Sequence, residues 1–361
     1  MTRNNLILLC MLAFFAVVLG VIKLCQPGAR DSASGQGTAG DRSVSGRARI
    51  VMYLPMPHPY CTEVGEGARA FSDKFKVPVL VKTGQDAIQA NVNQNVESLS
   101  TMGYEAFSIY PVDPAGSKGL FAQLRGKGKL VVCYGAQPAE GTQASFCIAT
   151  DTRNAAGTAA ENLIRLMGGK GKILNVLEGM TDANTPIRKA AIEEAVARHP
   201  GVEIIQTIGD ITTEQKAQEK IESALVARGG EIDGVICTGY TTTAAAGTLL
   251  AERNSKPGAK YIRFVGLDTD ERVIRAIREG KIDATIAQNP YGHGYLTCLI
   301  LDLMLKGWSP VKDYQFIDSG GVVITRDNVE RFKEDVKKNT ERIESDIKAK
   351  YLVAPAGGGG V

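Results

Sequence analysis

The sequence predicts an α/β fold built from two doubly wound, Rossmann-like lobes. Short apolar runs of strand length alternate with segments of helical length and periodicity along the body of the chain. The alternation restarts after Asp151 with units of similar size. A length of 361 residues suffices for about two domains, each with its own core.

The elements follow in order. Residues 49–54 read as a strand, and residues 65–75 as a helix with Ala68, Phe71 and Phe75 near helical spacing. Strands at 79–82, 106–110 and 129–134 then alternate with helices at 87–102 and 116–125. Beyond Asp151, helices are expected at 154–167, 186–198, 214–228, 242–252 and 271–279. Strands at 172–178, 203–208, 234–238, 261–267 and 284–288 separate them. Such β-α repetition calls for parallel sheets covered on both faces. Residues 326–351 are highly charged, with Phe332, Val336, Ile343 and Ile347 at mixed helical spacing, and read as one or two helices packed on a lobe. The glycine-rich end, residues 353–361, reads as a disordered tail.

The N-terminus reads as an export leader. Arg3 precedes an apolar run over residues 6–22, and a Gly/Ser-rich stretch at 28–46 follows as a flexible linker. Residues 1–25 are therefore expected to form a signal peptide or a retained membrane anchor, and residues 26–47 a linker. Lys23 and Leu24 before Cys25 do not resemble a lipobox. Export places the folded part in the periplasm or on the outer face of the cytoplasmic membrane.

Charge excludes one class of partner. The net charge of +3 comes from the leader; beyond residue 47 basic and acidic residues balance. A neutral body without a basic run has no electrostatic footprint for nucleic acid. No CxxC occurs, and three histidines in the whole chain give no metal-ligand spacing, so neither metal nor cofactor is expected. Outside the leader lie Cys61, Cys133, Cys147, Cys237 and Cys298. They read as small buried hydrophobes, with Cys133 and Cys147 the one candidate pair for a disulfide.

Ligands of doubly wound sheets bind at the loops that follow the strands. The first such loop runs Pro55-Met56-Pro57-His58-Pro59-Tyr60-Cys61. Its prolines stiffen the backbone, and His58 and Tyr60 can project from it. In Pro111-Val112-Asp113-Pro114, Asp113 reads as a helix cap.

Two segments carry a family resemblance: Val265-Gly266-Leu267-Asp268-Thr269-Asp270, and Ala276-Ile277-Arg278-Glu279-Gly280-Lys281-Ile282-Asp283-Ala284-Thr285-Ile286-Ala287-Gln288-Asn289-Pro290. Together they closely resemble the ribose-binding branch of the type I periplasmic sugar-binding proteins. Phe316-Ile317-Asp318-Ser319-Gly320-Gly321-Val322-Val323-Ile324-Thr325 resembles the family's last crossover. The resemblance implies that a three-stranded hinge joins the two lobes, with crossovers near 151–154, 288–290 and 318–321, and that a ligand is clamped as the lobes close. It implies a first lobe of residues 48–152 plus 289–318 and a second of 153–288 plus 319–352.

Site residues follow by the same resemblance. Asp268 stands where the family places its hydroxyl-accepting aspartate, Gln288 where it places a hinge glutamine, and Arg188 where it places a cleft arginine. The chemistry agrees: a carboxylate accepts hydroxyl hydrogens, and a guanidinium donates in a fixed fork. The departures bear on specificity. His58 replaces an asparagine, Tyr60 and Cys61 replace two stacking aromatics, and Tyr134-Gly135 replaces an Asp-Arg pair. Tyr240 lies near the position of a ligand-binding asparagine, and Thr212 and Thr213 replace a further aromatic. A first lobe poorer in charge and richer in tyrosine implies a ligand less polar than ribose: a deoxy sugar, a polyol, or a less polar non-sugar molecule of aromatic or cyclic kind.

The implied function is that of a monomeric solute-binding protein that hands a sugar-like molecule to the permease of an ABC transporter. A ligand-sensing subunit of a membrane receptor would use the same cleft. The related gene repressors carry an N-terminal helix-turn-helix, a place taken here by the apolar leader. No GxSxG, HExxH or P-loop motif occurs, and His58, His199 and His293 are dispersed, so no enzyme is expected.

Overall fold

A computed structural model describes residues 48–180 and 182–355. The expected leader and linker, and residues 356–361 of the expected tail, lie outside the described residues.

The first sheet is assembled from β1 (Ile50–Leu54), β2 (Val79–Thr83), β3 (Ala106–Ile109), β4 (Leu130–Tyr134), β5 (Phe146–Ala149) and β12 (Gln315–Asp318). Its strand order is β12-β5-β4-β3-β1-β2, with every pairing parallel. The second contains β6 (Gly171–Glu178), β7 (Val202–Ile211), β8 (Gly234–Thr238), β9 (Arg263–Leu267), β10 (Ala284–Ala287) and β13 (Val322–Ile324), in the order β13-β10-β9-β8-β6-β7. Only its edge strand β13 runs antiparallel.

The central strands are mostly apolar because helices cover both faces, with Ser108 in β3 and Asn175 in β6 buried among them. In β1, Ile50, Met52 and Leu54 enter one core while Val51 and Tyr53 enter another, as the period of two requires. The second sheet divides in the same way, with Leu174 and Val176 on one face and Ile173 on the other. Helices α1 (Pro59–Phe75), α2 (Gln89–Thr101) and α3 (Pro114–Gly126) serve the first sheet. The second has α4 (Thr152–Leu166), α5 (Asn184–Ala197), α6 (Glu214–Arg228), α7 (Tyr240–Asn254) and α8 (Glu271–Arg278). Helix α9 (Pro290–Leu305) returns to the first lobe, where Tyr295, Leu296 and Leu299 join the core of Ile50 and Phe71.

The chain passes between the sheets at residues 150–151, 288–289 and 319–321. It then crosses once more. Helix α10 (Phe332–Asp346) starts in the second lobe's core through Val329 and Phe332. Its far end, with Ile343, Ile347 and Leu352, lies in the first lobe's core. A helix of 15 residues reaches about 22 Å, enough to link the two cores. The assignment of residues 319–352 wholly to the second lobe is corrected accordingly. So is the start of the expected tail, because β14 (Leu352–Val353) pairs antiparallel with β11 (Ser309–Pro310).

Three local expectations change. Helix α1 begins at Pro59, not at residue 65: His58 caps it by accepting from Tyr60 N at 3.2 Å, and a proline in the first turn loses no bond. Strand β5 was not anticipated, being four residues long in a segment without clear periodicity. Cys133 and Cys147 are register partners on adjacent strands, yet both thiols are free, and Cys147 Sγ donates to Ala136 O at 3.2 Å. Asp113 caps α3 by accepting from Ala115 N at 3.0 Å, as expected. Among the described residues, no helix is long and apolar enough to cross a membrane.

Candidate functional site

The loops that follow β1, β3, β4, β6, β8, β9 and β10 meet between the lobes around a cavity of about 150 Å3. The first lobe lines it with Pro55, Met56, His58, Tyr60, Cys61 and Tyr110; the second contributes Glu178, Asp182, Asn184, Arg188, Tyr240 and Asp268, and Gln288 stands at a crossover. Six of the seven residues singled out from the sequence therefore converge on one cavity: His58, Tyr60, Arg188, Tyr240, Asp268 and Gln288.

Tyr134 is the exception and is corrected. It ends β4 fully buried, its hydroxyl donates to Tyr53 O at 2.8 Å, and it packs behind Tyr110 with ring centroids 5.7 Å apart. A β-strand sends neighbouring side chains to opposite faces, and this one points into the core. The cavity wall beside it is Gly135, at φ +74°. A Cβ there would press on the Tyr60 hydroxyl and the Tyr110 ring, so glycine keeps that side open.

Asp268 sits just past β9 with φ +78°, an uncommon conformation for a residue with a side chain. Its backbone is locked there: its N–H donates to Ile286 O at 2.8 Å, and its carbonyl accepts from Thr285 Oγ1 at 2.8 Å. Gln288 Nε2 donates to its Oδ1 at 2.6 Å. Burial raises the Asp268 pKa, against the pull of Arg188, the Gln288 amide and His58. Arg188 is buried, and its Nη1 donates to Thr238 O at 3.3 Å.

Glu178, at the end of β6, is a second carboxylate that motif reasoning missed. Its Oε1 accepts from Thr241 N at 2.9 Å, in the first turn of α7. Gly239 clears its place, since a Cβ there would overlap the carboxyl group. Burial pushes its pKa up to about 7, with Arg188 and the Thr241 N–H opposing and Asp268 and Asp182 adding repulsion. Charge in the cavity thus belongs to the second lobe. The first offers aromatic rings and His58, whose pKa burial lowers while Asp268 opposes.

The lobes touch across the cavity. Asn184 Nδ2 donates to Tyr110 OH at 3.4 Å and to Gly135 O at 3.3 Å, while Asn184 Oδ1 accepts from Thr152 Oγ1 at 3.0 Å. The His58 and Tyr240 rings meet edge to face at 5.4 Å. This is a closed arrangement. Tyr110, Glu178, Asp182 and Asn184 were not singled out from the sequence. The signal available was positional, since Tyr110 and Glu178 stand at the carboxyl ends of strands. Among the described residues, no group of three or more His, Cys, Asp or Glu is placed to hold a metal ion.

The model of one family, described as the periplasmic binding protein domain, matches residues 50–308. The xylitol-binding protein of Mycolicibacterium smegmatis is 22% identical over 300 residues, covering 83% of this chain and 82% of that protein. The ribose import binding protein of Haemophilus influenzae is 24% identical over 273 residues, covering 75% and 90%. Among solved structures, an ABC transporter solute-binding protein from Bacillus halodurans with bound myo-inositol superposes with a TM-score of 0.71 at 17% identity, over 80% of this chain and 98% of that one. A solute-binding protein from Burkholderia graminis in complex with D-arabinose gives 0.69 at 20% identity, over 78% and 96%. At such identities the structural matches speak for the fold.

Proposed function

We propose, from the premise that this chain belongs to the periplasmic binding protein family, that its cleft clamps a polyol or a sugar with one apolar face. The chain is a solute-binding protein of the ABC-transport type, and its family is one of exported, periplasmic proteins. The observation that carries the ligand reading is the division of the cavity. Asp268, Glu178 and Arg188 stand on the second lobe as acceptors and donors for hydroxyl groups; Tyr60, Tyr110 and His58 stand on the first as flat walls. A polyhydroxylated molecule with a C–H face satisfies both sides. The names of a xylitol-binding and a ribose-binding relative support this class. His58, Tyr60, Arg188, Tyr240, Asp268 and Gln288 are the proposed contacts.

Delivery to an ABC transporter permease is the proposed consequence, because the closed form differs in shape from the open one and a membrane partner can read that difference. A receptor subunit would be engaged by the same closure. Lobes that exchange ligand in this way need no bond-making step, which supports binding without catalysis.

A thermal-shift panel of xylitol, myo-inositol and D-arabinose on the purified protein tests the reading, since a tight ligand raises the melting temperature by mass action. At least one polyol is expected to raise it by several degrees. A flat response to the whole panel, with a clear response to an amino acid or an aromatic acid, would overturn the proposed class.

A further inference from the structure

Tyr60 lines the cavity, but its hydroxyl is already engaged from behind. The oxygen lies 2.8 Å from His293 Nδ1. His293 Nε2 lies 2.8 Å from Ser319 Oγ, which lies 3.2 Å from Thr150 Oγ1. Thr150 Oγ1 donates in turn to Gly320 O at 3.4 Å. This row leads from the cavity wall to two crossovers, at residue 150 and at residues 319–320. The third joins it through Asn289, whose Nδ2 donates to Ser319 O at 3.4 Å.

One direction of the row makes all four hydrogen bonds, whereas the opposite one forfeits the Thr150–Gly320 bond. His293 is fully buried, and its ring nitrogens meet only the two hydroxyls. Burial holds its pKa down to about 3, so the ring is neutral and has one donor and one acceptor. Gly320 O can only accept, so Thr150 donates to it. Thr150 Oγ1 then accepts from Ser319, and Ser319 Oγ accepts from the Nε2–H of His293. That leaves Nδ1 as an acceptor, and Tyr60 must donate to it. The tautomer follows from the partners at each end of the row. With its proton committed, the Tyr60 oxygen turns only lone pairs toward the cavity.

We propose that His293 is a positioning residue that holds Tyr60 as a hydrogen-bond acceptor facing the cavity and ties that contact to the hinge crossovers. A ligand must then bring a hydroxyl or N–H donor to Tyr60. Tyr110 has the opposite sense: its oxygen accepts from Asn184 Nδ2, and its own proton is free to donate. The two tyrosines present one acceptor and one donor to opposite polarities of the ligand. This inference rests on the reading of Tyr60 as a wall of a polyol site, and its first test needs no ligand.

The chain contains only His58, His199 and His293, so nitrogen-labelled histidine gives a spectrum of three rings. The signal missing from His293→Gln identifies His293. The expected result is a neutral Nε2–H tautomer that does not titrate between about pH 5 and 8, where an ordinary histidine changes charge. An Nδ1–H tautomer, or titration within that range, overturns the assignment. The second arm is Ser319→Ala, which cuts the row at the hinge and leaves Tyr60 and His293 in place. The expected outcome is a mixture of His293 tautomers and xylitol binding weakened about fivefold to tenfold, the size of one lost hydrogen bond. Wild-type tautomer and wild-type affinity in that variant would show that the row transmits nothing. Failure of the wild-type protein to bind xylitol would count against the polyol reading alone, because the tautomer still decides the role of His293.

Discussion

Gln288 donates its side-chain amide to Asp268 Oδ1 at 2.6 Å, so a residue of the second crossover grips the carboxylate that closes the second lobe's loop. They stand in the two segments that resemble the ribose binders, and the contact joins those segments. The Gln288 amide orients the Asp268 carboxylate, and under the proposed function hinge rotation and ligand capture would share one side chain.

Asp268→Ala removes an acceptor from the cavity and strands the Gln288 amide. Ligand affinity is expected to fall by about 2–4 kcal/mol while the fold survives. Asp268→Gly is expected to bind as poorly, yet to melt higher than the alanine variant by about 1 kcal/mol, because only glycine accepts φ +78° without strain. Calorimetry with the polyol found by the panel, and thermal melts of the three proteins, check both halves. Unchanged affinity in Asp268→Ala would remove Asp268 from the site.

Glu178 gives stability a pH dependence. An unfolded glutamate titrates at about 4.3, and burial holds the folded Glu178 at about 7. Between those values the folded state keeps a proton that the unfolded state has released, so this group's contribution declines as pH rises from about 4 to about 7. Glu178→Gln is expected to match the wild type at pH 4 and to exceed it at pH 8 by on the order of 1–2 kcal/mol, allowing for partial exposure. Glu63 is likewise raised to about 7 by burial, but it is present in both proteins and cancels in the difference. Denaturant melts across that range measure it; equal stabilities at pH 8 contradict the buried carboxylate.

Asn184 bridges the lobes through Tyr110 and Gly135, while Thr152 of its own lobe holds its Oδ1. Asn184→Ala is expected to open the unliganded protein and to weaken binding about tenfold, since ligand must then supply the closure itself. Solution scattering should show a larger radius of gyration than wild type before ligand and a similar one at saturation. Identical curves in both states would mean that Asn184 is no latch.

Ribose is expected to bind weakly. The wall at Gly135 is bare where ribose binders resemble one another in an Asp-Arg pair, and charge-assisted hydrogen bonds of that kind contribute about 1.5–3 kcal/mol each. Cys61 replaces a stacking ring on the same side, and Tyr134 has turned into the core. Titration of ribose decides the matter: a sub-micromolar dissociation constant would show that water or a neighbouring group makes good the loss.

The alternation of apolar strand runs and helical periods determined the two-sheet architecture without help from the fold, because burial on both faces leaves strands such as Val235-Ile236-Cys237 apolar throughout. Asp268 and Gln288 were legible as cavity residues because a long motif surrounds them, and Arg188 because of its place in the resemblance. Tertiary structure decided the rest. Tyr134 and Gly135 are neighbours in sequence, but Tyr134 ends β4 with its ring in the core, while Gly135 turns the chain past the strand at φ +74° and stands at the wall. Glu178 became a site residue only when β6 ended beside the first turn of α7, 63 positions further on, where a backbone N–H could hold it. His293 and Ser319 looked unrelated until α9 and the last crossover brought ring and hydroxyl to 2.8 Å. Sequence periodicity reports which face of an element is buried; which buried groups meet across elements depends on contacts between residues far apart in the chain, and these only packing sets.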